Sequence, residues 1–455
     1  MGVLRFQPDR MVVASPARQF DVGVLGATGF TGKLACEYLS KNYATGLTWA
    51  VAGRSEAKLA SLRAALSIDE SNVRIVDCYA SDTVEALAKE CRVIANFAGS
   101  PFADKALPVV EACARHGTHY VDITGEVHLH RASYDAHHEQ ALASGALIVH
   151  SCGYDSIPSD LGAYLAAAKL REAFGVPCAE LKAFAGASRG GISGGTLATA
   201  LGVLTGRVKH LPGVREAAAR GVYALDPAGA SGGPDTSDFG GVRYDRRVDT
   251  WHCPNVMAGV NAPVVRKSAA LLAYAARPGG CRYSEVSAAP SMLRAFGATT
   301  LLALAGGCLA VPPVRGLLFR LKLLPLPGEG PSQVTRDGGY FHTWVLGVGE
   351  SCSASPRSSD AAEASAAEAS DGDSPEAERL PMVIADVRSG TAGDPGYKAT
   401  AQMAIESALC LALQRDECEA AGGVLTPAAA LGSTLVERLN RSGMELGARV
   451  LGEAE

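Results

Sequence analysis

What the 455-residue sequence lacks narrows it first. Its 42 Lys and Arg are set against 47 Asp and Glu, a net charge of −5 with no long basic stripe, which argues against nucleic acid as a partner. None of its twelve cysteines forms a C-x-x-C pair. They are scattered along apolar segments such as Ala112-Cys113 and Leu409-Cys410-Leu411, which suits reduced, buried thiols in a cytoplasmic protein better than a disulfide frame or a zinc site. The histidines at 116, 119, 128, 130, 137, 138 and 150 show no zincin spacing, and no metal is assigned. The first residues lack the charged-then-apolar order of a secretory signal, so secretion is not expected. Phe6 breaks the myristoylation pattern that Gly2 would open. What remains is an ordinary globular composition, 47% hydrophobic and 20% charged, long enough for two or three domains.

The most informative stretch is DVGVLGATGFTGKLACEYL at 21–39, followed by LTWAVAGRS at 47–55. An apolar run breaks into Gly26, Gly29 and Gly32, a helical pattern follows, and a second apolar run ends at Gly53-Arg54. This reads as strand, glycine-rich turn, helix and strand. Gly26 permits the turn, Gly29 admits a pyrophosphate to the backbone, and Gly32 lets the helix pack on the strand. The intervening Ala27, Thr28, Phe30 and Thr31 complete the expected phosphate cradle, with the helix N-terminus aimed at it. The spacing G-x-x-G-x-x-G departs from the G-x-G-x-x-G of many dinucleotide folds. An acidic residue closing the second strand would bind a ribose 2′-OH. Arg54, with Ser55 and Lys58 behind it, instead suits a 2′-phosphate and points to NADP(H).

Strand signals at 20–26, 47–52, 73–77, 92–97, 118–122 and 146–150 alternate with helical patterns at 30–41, 56–66, 82–90, 101–116 and 128–144. That alternation predicts a Rossmann-type, doubly wound parallel sheet over 20–152, after an N-terminal extension at 1–19. A helix at 158–173 and a strand at 179–188 open a second, α+β domain at 153–350 and 381–455. Segments 338–350 and 381–390 form an expected antiparallel pair, and a last helix at 396–414 packs back on the core. Between the pair, 351–380 is Ser, Ala, Asp and Glu without periodicity and is expected to be a disordered acidic insertion. Segment 295–314 has no charge and is about long enough to span a bilayer. Its glycines and prolines, and the apolar residues continuing to 324, favour a hairpin or patch lying on a membrane or lipid surface. A buried core helix fits the sequence as well.

In such a sheet, ligands sit beyond the carboxyl ends of the strands. The fourth strand ends in Asn96-Phe97-Ala98-Gly99 and the fifth in Thr124-Gly125, both expected at the cofactor. Tyr154, Asp155 and Ser156 end the sixth, near the expected nicotinamide, and are candidate proton donors or substrate ligands because hydride addition needs a partner proton. Asp155 and Ser156 also suit helix caps around Pro158. Ser193-Gly194-Gly195-Thr196 reads either as a phosphate contact or as a capped helix start. None of the thirteen tyrosines is followed by Lys at the fourth position, so the Tyr/Lys chemistry of extended short-chain reductases is disfavoured.

GATGFTG (26–32), AGR (52–54), YVDITGE (120–126), GYDSIPSDLG (153–162), SGGT (193–196), LPGEGPS (326–332) and DPGYKATAQMAIESALCLA (394–412) together resemble the saccharopine dehydrogenase-like oxidoreductase family, which includes trans-acting enoyl reductases. The resemblance implies an NADP-binding Rossmann domain followed by an α+β domain. It also implies a reductase role in lipid or glycolipid synthesis, or a role on lipid droplets and membranes. The leading expectation is an NADP(H)-dependent oxidoreductase of a lipid-derived or other apolar small molecule, as an enoyl reductase. Two alternatives stand beside it. One is an imine or amino-acid reductase, which would need arginines such as Arg189, Arg282 or Arg336 for an α-carboxylate. The other is a non-catalytic NADP-binding protein of lipid surfaces. The oligomeric state stays open, a homodimer included.

Overall fold

The computed structural model describes residues 18–99, 102–191, 197, 201–202, 205–227, 232–276, 280–321, 323–324, 330–350 and 380–452. The acidic insertion at 351–379, the segment Ser193–Thr196 and most of the N-terminal extension lie outside the described residues. The first six strands are Phe20–Leu25 (β1), Trp49–Gly53 (β2), Val73–Ile75 (β3), Cys91–Asn96 (β4), His119–Asp122 (β5) and Leu147–Val149 (β6). The remainder are Cys178–Arg189 (β7), Arg243–Asp245 (β8), Thr250–Pro254 (β9), Arg282–Ala289 (β10), Tyr340–Gly349 (β11), Met382–Arg388 (β12), Gly423–Leu425 (β13) and Glu445–Val450 (β14).

The first sheet has seven strands in the order β13-β6-β5-β4-β1-β2-β3, and its pairings are parallel. Its inner strands are largely apolar because both faces are covered, and alternate residues serve opposite layers. Val22, Val24, Val51, Val93 and Val121 join one core with Ala35 and Leu39 of the helix Phe30–Asn42. Leu25, Ala50, Ala52, Ile94 and Tyr120 join the other, with Leu87 of the helix Ser81–Glu90 and Val109 of the helix Ala103–His116. The helix expected at 56–66 is observed at Glu56–Leu66, and the six expected strands and four other expected helices of this half fall within a few residues of their places.

The second sheet is mixed, in the order β14-β12-β11-β7-β10-β9-β8. β7 and β10 run parallel, and the expected antiparallel pair is β11 with β12. The helix Ile157–Phe174 lies on this sheet at close range; a Cβ on Gly162 would come within 2.7 Å of Val345. Three elements between 240 and 290 carry little periodic signal. β8 has three residues, β9 has five, and the helix Ala258–Leu271 buries even Asn261, Arg266 and Lys267.

The C-terminal segment belongs to both halves. The helix Thr400–Leu413 is buried over all but its last residue and packs in the same core as β1 and β4. β13 then extends the first sheet beside β6, and β14 extends the second beside β12. Glu406, 1% exposed, fixes this arrangement. One carboxylate oxygen accepts the Tyr38 and Tyr43 hydroxyls at 2.6 and 2.7 Å, and the other accepts Arg438 Nε at 2.8 Å.

The apolar segment is exposed. It forms the helix Met292–Ala310, in which only Ala295 is buried, followed after Val311 by the helix Pro312–Arg320 with no buried residue. The core-helix alternative is thereby removed: nothing among the described residues covers these side chains.

Breaking a buried ion pair strands one charge, whereas removing both partners does not. Arg438→Met is therefore expected to cost about 3–5 kcal/mol. Pairing it with Glu406→Leu should recover part of that loss. Thermal or urea unfolding of the single and double variants checks both statements.

Candidate functional site

The carboxyl ends of β1, β2, β4, β5 and β6 converge on one edge of the first sheet. Gly26 sits there at φ +78°, and a Cβ on it would fall 2.5 Å from the Ala98 backbone nitrogen. Only glycine allows the β1 turn to cross so close to the β4 turn. A Cβ on Gly32 would lie 2.2 Å from the Gly26 carbonyl oxygen, so the helix also depends on glycine to seat against the turn. Gly29 is the N-cap, and no side chain caps the helix. The first-turn N–H groups have no intrahelical acceptor and stand ready for an anion. Ala27 is buried beneath the turn, while Thr28, Phe30 and Thr31 are half-buried around it.

Arg54 is exposed at the end of β2 and has no side-chain partner among the described residues. Ser55 caps the next helix position without a side-chain hydrogen bond. Uncapped helix amides, a cradle that a Cβ would fill and a free guanidinium together fit a dinucleotide bearing a 2′-phosphate.

The other expected ligands divide into surface and support. Ala98 and Gly99 are half-buried at the turn. Asn96 is fully buried behind it, with Oδ1 accepting Ala98 N–H at 2.8 Å and Nδ2 donating to the Tyr120 hydroxyl at 2.9 Å. Tyr120 in turn donates to Asp122 Oδ2 at 2.9 Å, which also pairs with His150 Nδ1 at 2.7 Å. Asp122 Oδ1 accepts the N–H groups of Thr124 and Ser151, each at 3.1 Å. Asp122 thus pins the ends of β5 and β6 together and fixes where Thr124, Gly125 and the following Tyr154 loop stand. The buried histidines serve this scaffold: His130 pairs with Ser151 and His150 with Ser133.

At Tyr154–Ser156 both halves of the molecule meet. The Tyr154 N–H donates to Thr400 Oγ1 at 3.1 Å, and its ring meets Phe341 edge-on at 4.9 Å. Burial, with Glu285 and Asp155 nearby, pushes its phenol up to about 12. One Asp155 carboxylate oxygen lies beside Gly125, 3.5 Å from where a Cβ would stand. Burial pushes the Asp155 carboxyl up to about 6. Ser156 is different: its hydroxyl is buried, donating to the Asp155 carbonyl at 2.6 Å and lying 3.3 Å from Asn261 Oδ1.

Several contributors escape the motif reading. Tyr397 packs edge-on against Phe30 at 5.1 Å, and the Arg336 guanidinium lies 5.4 Å from the Phe30 ring centre. Glu285, buried on β10, accepts Asn255 and Asn261 amides at 2.9 and 2.8 Å and the Tyr283 hydroxyl at 2.9 Å. Tyr397 and Thr400 lie in the segment 394–412 that carries the family resemblance. The acid in the run RYSEVSAA was the available signal for Glu285.

Comparison with known proteins agrees with this geometry. Residues 22–149 match the model of the saccharopine dehydrogenase NADP-binding domain. A Mycobacterium tuberculosis protein bearing a provisional trans-acting enoyl reductase name is 35% identical, over 96% of this chain and 98% of the relative. The chain belongs to the saccharopine dehydrogenase-like oxidoreductase family. A trans-acting enoyl reductase of Mycobacterium leprae is 31% identical over 94% of this chain and 98% of its own length. Among solved structures, saccharopine dehydrogenase (L-Glu forming) of Saccharomyces cerevisiae shares the fold, with a TM-score of 0.52 at 11% identity, over 95% of this chain and 99% of that one. As a member of the saccharopine dehydrogenase-like oxidoreductases, this protein is an NADP-dependent oxidoreductase. When bound, NADP(H) supplies the hydride.

Two outcomes follow from the site. Arg54→Ala should weaken NADPH binding about tenfold or more and leave NADH binding unchanged, since only the 2′-phosphate loses its partner; cofactor-fluorescence titrations read both. Asp155 holds its proton more tightly folded than unfolded, so stability falls as pH rises from about 4 to about 6. Asp155→Asn should therefore gain about 2 kcal/mol above pH ~7 and little at pH ~4, measured by denaturant unfolding at the two pH values.

Proposed function

We propose that the protein reduces the carbon–carbon double bond of an α,β-unsaturated, lipid-derived acyl substrate with NADPH, within lipid or glycolipid metabolism in the cytoplasm. The observation that carries this reading is the full-length likeness to relatives named as enoyl reductases, which extends over both sheets. The free state of the described cysteines, all buried except Cys308, supports the cytoplasmic part.

The chemistry asks for a proton donor and a group that steadies negative charge on the carbonyl oxygen. Tyr154 stays protonated at neutral pH, so its hydroxyl can donate a hydrogen bond to that oxygen. Asp155, raised toward neutrality, holds a proton at mildly acidic pH and can deliver it to carbon. Ser156 and Asn261 hold the loop that presents the two. An imine reductase would need a cation for an α-carboxylate; of the arginines named for it, only Arg336 stands beside the glycine-rich turn, at Phe30. Arg189 and Arg282 are exposed, and Arg336 donates to the Pro331 carbonyl at 2.7 Å.

The test is NADPH oxidation with a long-chain trans-2-enoyl thioester. Tyr154→Phe should lower kcat by about 10²-fold with NADPH affinity unchanged. Wild-type kcat should fall as pH rises through about 6, and Asp155→Asn should abolish that dependence. A protein that binds NADPH tightly but oxidises it with neither enoyl nor imine substrates would favour the non-catalytic alternative.

A further inference from the structure

We propose that the paired helices Met292–Ala310 and Pro312–Arg320 lie flat in the surface of an anionic lipid bilayer and hold the mouth of the active site against it. Leu293 is 81% exposed, Leu301 69%, Leu304 62% and Phe296 54%; Leu317 and Leu321 continue the surface on the second helix. A soluble monomer rarely presents so continuous an apolar surface without a partner.

Charge selects the partner. From Val286 to Gly328 the sequence contains no acidic residue, while Arg294, Arg315, Arg320 and Lys322 are cationic. Arg294 and Arg320 are exposed with no side-chain partner among the described residues. A second copy of the chain would bring like charges together here with no acid on the segment to meet them. Anionic headgroups meet them directly, and acyl chains take up the leucines. The same arginines set the orientation. Arg294 stands near the root of the first helix, and Arg315 stands beyond its far end, where it donates to the Leu309 carbonyl at 2.8 Å. A hairpin inserted tip-first would carry Arg315 into hydrocarbon at high cost, whereas one lying flat keeps both arginines at headgroup depth.

The return root of the hairpin reaches the site, and the outgoing root starts one strand away from it. The first helix leaves the end of β10, which runs parallel to β7 with Ser287 opposite Ala185. β7 ends at Arg189, and just beyond it Gly190 abuts Pro395 and Gly191 abuts Pro331. The returning chain presses Gly330 on the Phe30 ring of the glycine-rich turn, where a Cβ would lie 2.4 Å from it. A bilayer under the hairpin therefore lies beside the cofactor site, where an apolar substrate would enter. That last step rests on the proposed enoyl reductase reading; the docking does not.

Flotation of the full chain with phosphatidylcholine vesicles, with or without phosphatidylglycerol, tests the docking. Binding to the anionic vesicles is expected, about tenfold weaker on neutral ones. It should be lost at least about tenfold in Leu293→Glu/Leu301→Glu/Leu304→Glu and weakened in Arg294→Glu/Arg320→Glu. NADPH titration of the same proteins should be unchanged, because these side chains touch nothing in the cofactor site. Failure of the wild type to float, or flotation untouched by the triple variant, overturns the proposal. So does self-association that the triple variant abolishes without any vesicle binding. Loss of NADPH binding in the wild type would instead strike the reductase reading and leave the docking result standing.

Discussion

Everything at the site depends on one crossing of backbones, where the turn after β1 passes beneath the turn after β4. Gly26 has no room for a side chain beside Ala98, and Gly32 has none beside the Gly26 carbonyl. The two approaches seat the helix Phe30–Asn42 with its first amides open and uncapped. Such amides are costly to leave unsatisfied away from water, and an anion relieves that cost while gaining from the helix dipole. The crossing therefore sets where the open helix amides stand relative to the ends of the neighbouring strands.

The Tyr154–Ser156 loop is held by residues far apart in the chain. Asp122 ties the ends of β5 and β6, Thr400 holds the Tyr154 backbone, and Val260 and Asn261 arrive from the second half. The C-terminal segment closes this arrangement, since its helix fills a face of the first sheet and its last strands extend both sheets. The Glu406 cluster, midway along that helix, ties it to the helix Phe30–Asn42 and to Arg438.

The first sheet could be read from the sequence because both of its signals are local: near-continuous apolar strands and helices of ordinary length between them. The glycine-rich turn was legible for the same reason, and Arg54 followed from its place at the next strand end. The second sheet was harder. β8 is shorter than any useful periodicity window, and the helix Ala258–Leu271 buries polar side chains against polar partners, which erases its amphipathic pattern. β13 and β14 join sheets whose other strands are far away in sequence, a pairing that no local pattern encodes. Glu285 and Asn261 escaped notice because an isolated acid or amide in a strand or helix gains its meaning only from what packs around it. The segment after Arg294 was legible as apolar, but only its exposure decided between core and surface.

Hydrogen–deuterium exchange with and without NADPH maps the site most directly, because it reads the amides on which the account rests. The account predicts that NADPH slows exchange in peptides covering Gly26–Lys33, together with those at Ala98-Gly99 and Arg54-Ser55. Protection confined to other segments, with the amides of Gly26–Lys33 exchanging as before, would contradict it.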